Sequence, residues 1–321
     1  FSKRTAFMSQ NLFLQNMAWL TTDQLAKDSV HHWTVKNIHR DTLAFLQYTS
    51  GSTSVPKGVM ITHGNVMANE AMLQQAFGHT QHSRGVGWLP FFHDMGLIGN
   101  ILQVLYVGFP CVLMSPEAFL QKPIRWLQAI SRYKATTSGG PNFAYTLCVE
   151  KISAEQRENL DLSSWEVAFN GAEPVRTETL ERFARAFEPC GFRHEAFYPC
   201  YGMAEATLLI SGSEKTSAPV TRDTSPHSRF VGCGHSWGDQ QLFIVNPDTL
   251  IPCQEQQEGE IWVSGSHIAS GYWNQPQESA LTFRAALAGT GEQLFLRTGD
   301  LGFLKDGELF VTGRLKDLII I

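Results

Sequence analysis

Strand-like and helix-like segments alternate along the chain from about residue 40 to residue 210. Apolar runs at residues 85–89, 111–114 and 167–169 are each followed by a stretch whose apolar residues have helical spacing. Such alternation is typical of parallel strands that are joined by crossover helices. It predicts an α/β fold with a largely parallel, helix-covered sheet, in which ligands bind outside the carboxyl ends of the strands.

The pattern changes after about residue 211. Residues 211–228 are polar and rich in Ser, Thr and Pro, which predicts an exposed linker or mobile loop. Beyond residue 229 the short apolar runs and the Asp306-Gly307 turn signal are typical of strands. The sequence therefore predicts three parts: an α/β core over residues 1–210, a linker over residues 211–228, and a smaller β-rich, barrel-like subdomain over residues 229–321.

Composition limits the possible functions. The chain has 321 residues, a hydrophobic fraction of 43% and a net charge of -5, so it has no basic surface for nucleic acid. No apolar run approaches the ~20 residues of a membrane-spanning helix. The six cysteines form no C-x-x-C pair and no signal peptide is evident, so we expect reduced thiols in a cytoplasmic protein. Because it starts at Phe1 and ends in the apolar residues 318–321, we expect a piece of a longer protein.

A loop of small residues follows the strand-like residues 43–46 and precedes the helix-like residues 65–77. Its sequence is Thr49-Ser50-Gly51-Ser52-Thr53-Ser54-Val55-Pro56-Lys57-Gly58. A strand, a small-residue loop with a lysine and then a helix can bind phosphate, because backbone N–H groups and hydroxyls approach the anion closely. The loop is not a Walker A motif, since Lys57 follows a proline and precedes a glycine. Taken alone, it is equally an ordinary surface turn.

Five further segments occur in order along the chain, at residues 88–97, 170–174, 201–207, 297–302 and 313–317. Together with the loop they resemble the motifs of the adenylate-forming superfamily of acyl and aryl acid ligases. The runs HDMGLIG, NGAEPVR and YGMAEAT resemble fatty acyl-AMP ligases in particular. The resemblance covers most of the chain and implies the large N-terminal portion of such an enzyme, without its small C-terminal domain.

The resemblance implies a two-step reaction. The carboxylate of a medium- or long-chain fatty acid attacks the α-phosphorus of ATP, which gives an acyl-adenylate and pyrophosphate. The acyl group then passes to the phosphopantetheine thiol of an acyl carrier protein, or of a carrier domain in a polyketide or peptide synthase. ATP and Mg²⁺ are the expected cofactors. Such chemistry depends on positioning and positive charge rather than on a covalent nucleophile.

The resemblance also assigns roles to residues at the matching motif positions. The expected catalytic groups are Lys57 at the phosphates, Glu205 as the Mg²⁺ ligand, and His93, which positions the substrate because a carboxylic acid needs no base at pH 7. The expected nucleotide-binding residues are Thr49, Ser50, Gly51, Ser52, Thr53, Lys57, Gly171, Ala172, Glu173, Tyr201, Gly202, Met203, Ala204, Asp300 and Arg314. Ser138, Gly139, Gly140, Asn142 and Phe143 are expected to line the acyl tunnel, and Lys316 is expected at the hinge to the missing domain.

Three alternatives remain open. A fatty acyl-CoA synthetase shares the first step of the reaction. The acyl-AMP ligases carry an insertion that disfavours CoA, but the corresponding region here, residues 211–234, is short, so CoA stays possible as the acceptor. A nucleotide- or acyl-adenylate-binding module without efficient turnover is consistent with a missing C-terminal domain, which supplies a catalytic lysine in the family. A serine hydrolase is suggested by Gly234-His235-Ser236-Trp237-Gly238, although a nucleophile elbow requires a helix next and residues 241–245 resemble a strand.

Overall fold

The computed structural model describes Thr34 and residues 36–49, 56–225, 228–288 and 293–317. The chain divides into two compact units, Phe1–Ile38 and His39–Ile321. The helices and strands described below belong to the second unit. No helix within these described ranges is long and apolar enough to cross a membrane. All six cysteines are free thiols.

The second unit begins with a hairpin. Strand β1 (Leu43–Thr49) pairs antiparallel with β2 (Lys57–Thr62), and helix α1 (His63–Phe77) follows directly. Strand β2 begins at Lys57 itself, and its residues Val59 and Ile61 are fully buried. The predicted strand before the loop and the predicted helix over residues 65–77 are confirmed, whereas the sequence does not predict strand β2 between the loop and the helix.

The boundaries of α1 follow from its capping residues. Thr62 Oγ1 accepts a hydrogen bond from Asn65 N–H at 3.1 Å, and Asn65 Oδ1 accepts one from Thr62 N–H at 3.0 Å. This reciprocal pair satisfies two backbone donors at the start of the helix. At the other end Gly78 adopts a φ of 60°, a left-handed conformation that glycine adopts at little cost.

Seven strands form a mixed central sheet: β3 (Gly85–Gly87), β4 (Cys111–Leu113), β5 (Thr137–Gly140), β6 (Val167–Asn170), β7 (Phe197–Gly202), β8 (Leu209–Gly212) and β11 (His235–Ser236). Their order across the sheet is β11-β8-β7-β6-β5-β3-β4. The five strands from β7 to β4 are parallel, and β8 and β11 add antiparallel. The predicted α/β fold with a largely parallel sheet is thus confirmed.

Helices connect and cover the parallel strands. They are a π-helical segment (Met95–Leu102) that continues into α2 (Gln103–Val107), then α3 (Pro116–Gln121), α4 (Ile124–Tyr133), α5 (Asn142–Lys151), α6 (Ala154–Arg157) and α7 (Thr177–Phe187). Between them and the sheet lies a core rich in aromatic side chains. Tyr145, for example, packs edge-on against Phe183 with ring centroids 5.1 Å apart and against Trp126 at 5.6 Å. Such pairs add directional stabilisation to apolar burial.

The polar segment after β8 contains ordered β structure. Strands β9 (Thr221–Ser225) and β10 (Ser228–Val231) pair antiparallel, where the sequence predicts a linker or mobile loop. Arg222 forms an ion pair with Asp306 at 3.1 Å, and Arg229 forms one with Glu181 at 3.6 Å. In β10 the Phe230 ring also packs edge-on against Phe303 at 6.3 Å, and Val231 is buried. Strand β9 has no apolar residue, so the sequence shows no strand pattern there.

The β-rich region is a four-stranded antiparallel sheet. Strands β12 (Gln241–Val245), β13 (Gly259–Ser264), β14 (Leu296–Lys305) and β15 (Glu308–Arg314) lie in this order, and helix α8 (Pro276–Phe283) stands between β13 and β14 in the chain. Val59 and Ile61 of β2 share an apolar core with Ile261 and Leu296 of this sheet. The hairpin that carries Lys57 is therefore packed against the β-rich region.

Candidate active site

A cavity of about 740 Å³ lies beside the carboxyl ends of β6 and β7. Residues at the ends of these strands form one side, and residues of β14 and β15 form another. Both polar and apolar side chains line it. Its apolar lining includes Leu73, Phe77, Val104, Phe109, Leu208 and Leu209. The position agrees with the rule that ligands of parallel sheets bind at the carboxyl ends of the strands.

The fold brings most of the predicted site residues to this cavity. Its lining includes Thr49, Lys57, His93, Gly171, Ala172, Tyr201, Gly202, Met203, Ala204, Glu205, Asp300, Arg314 and Lys316. They come from separate motifs along the chain, which only the folded structure brings together. Ser50, Gly51, Ser52 and Thr53 lie outside the described residues.

Tyr201, Asp300 and Arg314 form a polar group on one wall. The Tyr201 hydroxyl donates a hydrogen bond of 2.6 Å to Asp300 Oδ2, and Arg314 Nε lies 3.6 Å from Asp300 Oδ1. Burial raises the pKa of Asp300, whereas the Tyr201 hydrogen bond and the Arg314 charge lower it. When ionised, this carboxylate can accept hydrogen bonds from the hydroxyls of a ligand.

Glu260 holds the irregular part of β14 that presents Asp300, where the register of β13 and β14 shifts. Its buried carboxylate accepts hydrogen bonds from Arg297 Nη2 at 2.7 Å and from Trp262 Nε1 at 2.9 Å. It also accepts one from the backbone N–H of Gly299 at 3.1 Å. Gly299 has a φ of 73°, which a residue with a side chain rarely adopts. The position of Asp300 is thus fixed by a charge-assisted network.

Glu205, Tyr272 and Lys57 form a second polar group. Glu205 follows β7 in a short 3₁₀ helix, Ala204–Ala206, and is only 7% exposed. The Tyr272 hydroxyl donates a hydrogen bond of 2.8 Å to Glu205 Oε1. Burial raises the pKa of Glu205, and the Tyr272 hydrogen bond lowers it in part. The Lys57 ammonium lies 4.7 Å from the centre of the Tyr272 ring and pairs with Glu278.

His93 lies at the start of the π-helical segment. Its Nδ1 is 2.6 Å from Asp94 Oδ1, and this hydrogen bond raises the pKa of His93 although burial opposes it. Asp94 Oδ1 also accepts a hydrogen bond from Met95 N–H at 2.6 Å. The imidazole is therefore oriented by a carboxylate that is itself held by the backbone.

The residues that the sequence analysis predicts to line an acyl tunnel do not line this cavity. These predicted tunnel residues are Ser138, Gly139, Gly140, Asn142 and Phe143. The glycines are packed against aromatic rings instead. A Cβ atom at Gly140 would lie 2.5 Å from Cζ2 of Trp88, and one at Gly139 would lie 2.6 Å from Cδ2 of Phe169. Since such distances are too short for carbon atoms, only glycine fits at these two positions, and the tunnel role of this segment stays a prediction.

Glu173, predicted near adenine, is also absent from the cavity lining. Its Oε1 accepts a hydrogen bond of 2.6 Å from Phe143 N–H at the start of α5. Asn142, in the same turn, donates to Thr179 Oγ1 at 3.0 Å. These contacts join α5 to the residues after β6, so they position neighbouring elements.

Several cavity residues carry no motif in the sequence. Tyr272, Glu278, Glu260 and Arg297 line it, yet only Arg297 lies inside a segment that the sequence analysis singles out. The apolar lining of α1 and α2 has the same spacing as any helix face that packs in a core. Sequence periodicity cannot distinguish a face that packs on protein from one that borders a cavity.

The G-x-S-x-G match does not form a nucleophile elbow. Ser236 lies in β11 and the next element is strand β12, whereas an elbow must lead from a strand into a helix. The serine hydrolase interpretation therefore lacks its structural context.

A largely parallel sheet with a cavity of mixed polarity at its strand ends is an arrangement in which α/β proteins commonly bind ligands. The family model of the AMP-binding enzymes matches residues 3–273, and the chain belongs to that family.

Individual relatives are similar over nearly the whole chain. The medium-chain-fatty-acid–(acyl-carrier-protein) ligase JamA of Moorena producens is 51% identical to this chain, in an alignment that covers 96% of this chain. The medium-chain-fatty-acid–(acyl-carrier-protein) ligase TtuA of Teredinibacter turnerae is 47% identical, and its alignment covers 87% of this chain. It also resembles the crystal structure of a fatty acyl-adenylate ligase from L. pneumophila in complex with acyl adenylate and pyrophosphate. That structure has a TM-score of 0.90 and 48% identity, and covers 94% of this chain. The chain spans 55%, 47% and 56% of these three proteins.

Proposed function

We propose that the whole protein activates a fatty acid with ATP and Mg²⁺ to an acyl-adenylate, and passes the acyl group to a carrier-protein phosphopantetheine thiol. The observation that carries the proposal is that one cavity is lined both by the polar groups around Asp300 and Glu205 and by apolar side chains. A ligand with a nucleotide at one end and an alkyl chain at the other matches that division.

The polar part accounts for recognition of the nucleotide. Asp300, held by Glu260 and flanked by Arg314, accepts hydrogen bonds from the ribose hydroxyls. Tyr201 borders the adenine, and Lys57 binds the phosphates. His93, oriented by Asp94, lies beside the reacting carboxylate and positions it. The substrate carboxylate is the nucleophile, so the protein has to supply position and charge.

Glu205 is the residue that fits a Mg²⁺ ligand. Its carboxylate is buried and its pKa is raised by that burial, so it gains from a cation beside it. No group of three or more His, Cys, Asp or Glu placed to hold a metal exists among the residues that the structure describes, and phosphate oxygens would complete the shell. Bound Mg²⁺ supplies positive charge against the phosphate oxygens.

The apolar part accounts for the fatty acid. Leu73, Phe77, Val104 and Phe109 come from α1, α2 and the approach to β4, and they offer an apolar wall for an alkyl chain. The similarity to the two medium-chain-fatty-acid–(acyl-carrier-protein) ligases described above supports a medium-chain acid and a carrier-protein acceptor. Transfer to CoA is the second acceptor that has to be tested.

The test is pyrophosphate release by the whole-length protein from ATP and Mg²⁺ with dodecanoate, with a pantetheinylated carrier protein or CoA in parallel. We expect pyrophosphate that depends on the fatty acid, and acyl transfer to the carrier but not to CoA. Ready acyl-CoA formation would assign the protein to the CoA synthetases. No fatty-acid-dependent pyrophosphate would contradict the proposal.

A further inference from the structure

Lys57 is already paired with a carboxylate inside the cavity. Its ammonium contacts Glu278 of α8, and the two side chains are 16% and 40% exposed. Both residues line the cavity. The predicted phosphate-binding lysine is therefore neutralised by the protein itself, on the same side of the cavity as Glu205 and Tyr272.

Backbone hydrogen bonds fix the elements that carry this ion pair. Trp273 N–H donates to Gly58 O at 2.7 Å, and Met60 N–H donates to Gly271 O at 2.8 Å. These bonds join β2 to residues 271–273, directly before α8. Ser279 Oγ accepts a hydrogen bond of 2.8 Å from Tyr272 N–H, which ties α8 to the same segment. The ion pair thus joins two elements that the fold holds together.

We propose that Glu278 is a built-in competing anion for Lys57, which a polyphosphate must displace and which returns when pyrophosphate leaves. The inference rests on the proposed function, because it takes Lys57 as a phosphate ligand. A phosphate that contacts the ammonium would stand close to the Glu278 carboxylate, and two anions at one cation repel. Glu278 can leave, since 40% of its side chain is exposed and water can solvate the carboxylate.

Lys57 keeps its place during this exchange. Its ammonium lies over the Tyr272 ring, and the Tyr272 hydroxyl is held by Glu205. The exchange therefore needs movement of the Glu278 side chain alone. Its consequence is a lower affinity for every ligand that uses Lys57, which favours release of pyrophosphate after the first step. AMP lacks the β- and γ-phosphates, so its affinity does not depend on Glu278.

The test compares ligand affinities of this chain and its Glu278→Gln variant by isothermal titration calorimetry in the presence of Mg²⁺. The ligands are inorganic pyrophosphate, ATP and AMP. We expect the variant to bind pyrophosphate and ATP about fivefold more tightly, the size of one partly exposed ion pair, and to bind AMP unchanged. Glu178→Gln is the matched control, because it removes a carboxylate that pairs with Arg182 at 3.7 Å on the distant surface of α7.

Each outcome bears on the inference. Unchanged or weaker binding of pyrophosphate by the variant would overturn it and would make Glu278 a neutral or supporting residue. Absence of pyrophosphate binding by both proteins would overturn it as well. Tighter pyrophosphate binding without any AMP binding would support the competition at Lys57 and contradict the proposed nucleotide site, so the two claims fail separately.

Discussion

A buried carboxyl in α1 gives a quantitative prediction about stability. Glu70 is 1% exposed, and its Oε1 has no hydrogen-bond partner among the described residues. Burial raises its pKa from the ordinary 4.5 to about 9. The folded protein therefore keeps a proton that the unfolded chain releases above pH 4.5, and the contribution of Glu70 to stability falls as the pH rises through this window. We expect a loss of about 1.4 kcal/mol per pH unit.

The test is the substitution Glu70→Gln, which keeps the shape and removes the titration. Between pH 5.5 and 8.0 the wild type should lose about 3 kcal/mol of unfolding free energy relative to the variant. Urea denaturation of both proteins at the two pH values measures this difference. Glu158→Gln, at an exposed site, should show the same pH dependence as the wild type. Parallel pH dependence of wild type and Glu70→Gln would refute the reasoning.

Three further predictions concern the cavity and the rejected hydrolase. Tyr272→Phe removes the hydrogen bond that lowers the pKa of Glu205, so that pKa should rise. The acidic limb of the pH profile for pyrophosphate release should then move to higher pH. An acidic limb at the same pH would argue against Glu205 as an ionised ligand. Tyr201→Phe removes the 2.6 Å hydrogen bond to Asp300 and should weaken AMP binding about fivefold by calorimetry; equal affinity would show that this contact does not serve the nucleotide. Ser236→Ala should leave pyrophosphate release intact, and loss of activity in a correctly folded variant would reopen the hydrolase interpretation.

The sequence predicts the parts of the fold that depend on local patterns. Helix α7 buries Leu180, Phe183 and Phe187, whose spacing places them on one face. The short apolar runs mark β3 and β6, whose residues are all buried, because strands buried on both faces need no polar alternation. Strand β4 also has an apolar run, although it lies at the edge of the sheet and Leu113 is exposed. The hairpin of β9 and β10 escapes prediction, since β9 has no apolar residue and the contacts of both strands are with residues far apart in the chain.

The candidate site shows the same difference between features that local sequence predicts and features that arise only from tertiary packing. Most motif residues that reach the cavity stand at the end of a strand or just after one, where their position follows from the fold, whereas Asp300 stands in the middle of β14. Tyr272 and Glu278 could not be predicted, because what matters is their contact with Glu205 and Lys57, which only tertiary packing creates. The predicted tunnel residues do not line the cavity; Gly139 and Gly140 pack closely against Phe169 and Trp88, and their role in binding a substrate chain stays a prediction.

The central claim is that one cavity binds both a nucleotide and an alkyl chain, and a bisubstrate analogue tests it most directly. Calorimetry on this chain would compare dodecanoyl-sulfamoyl-adenosine with AMP, using Gly99→Leu as the variant. Gly99 lines the cavity and a Cβ there meets nothing closer than Leu208 at 3.6 Å, so a larger side chain would occupy the apolar part. We predict that the analogue binds at least about tenfold more tightly than AMP, and that Gly99→Leu removes this gain while AMP affinity is retained. An analogue that binds no more tightly than AMP would contradict the account.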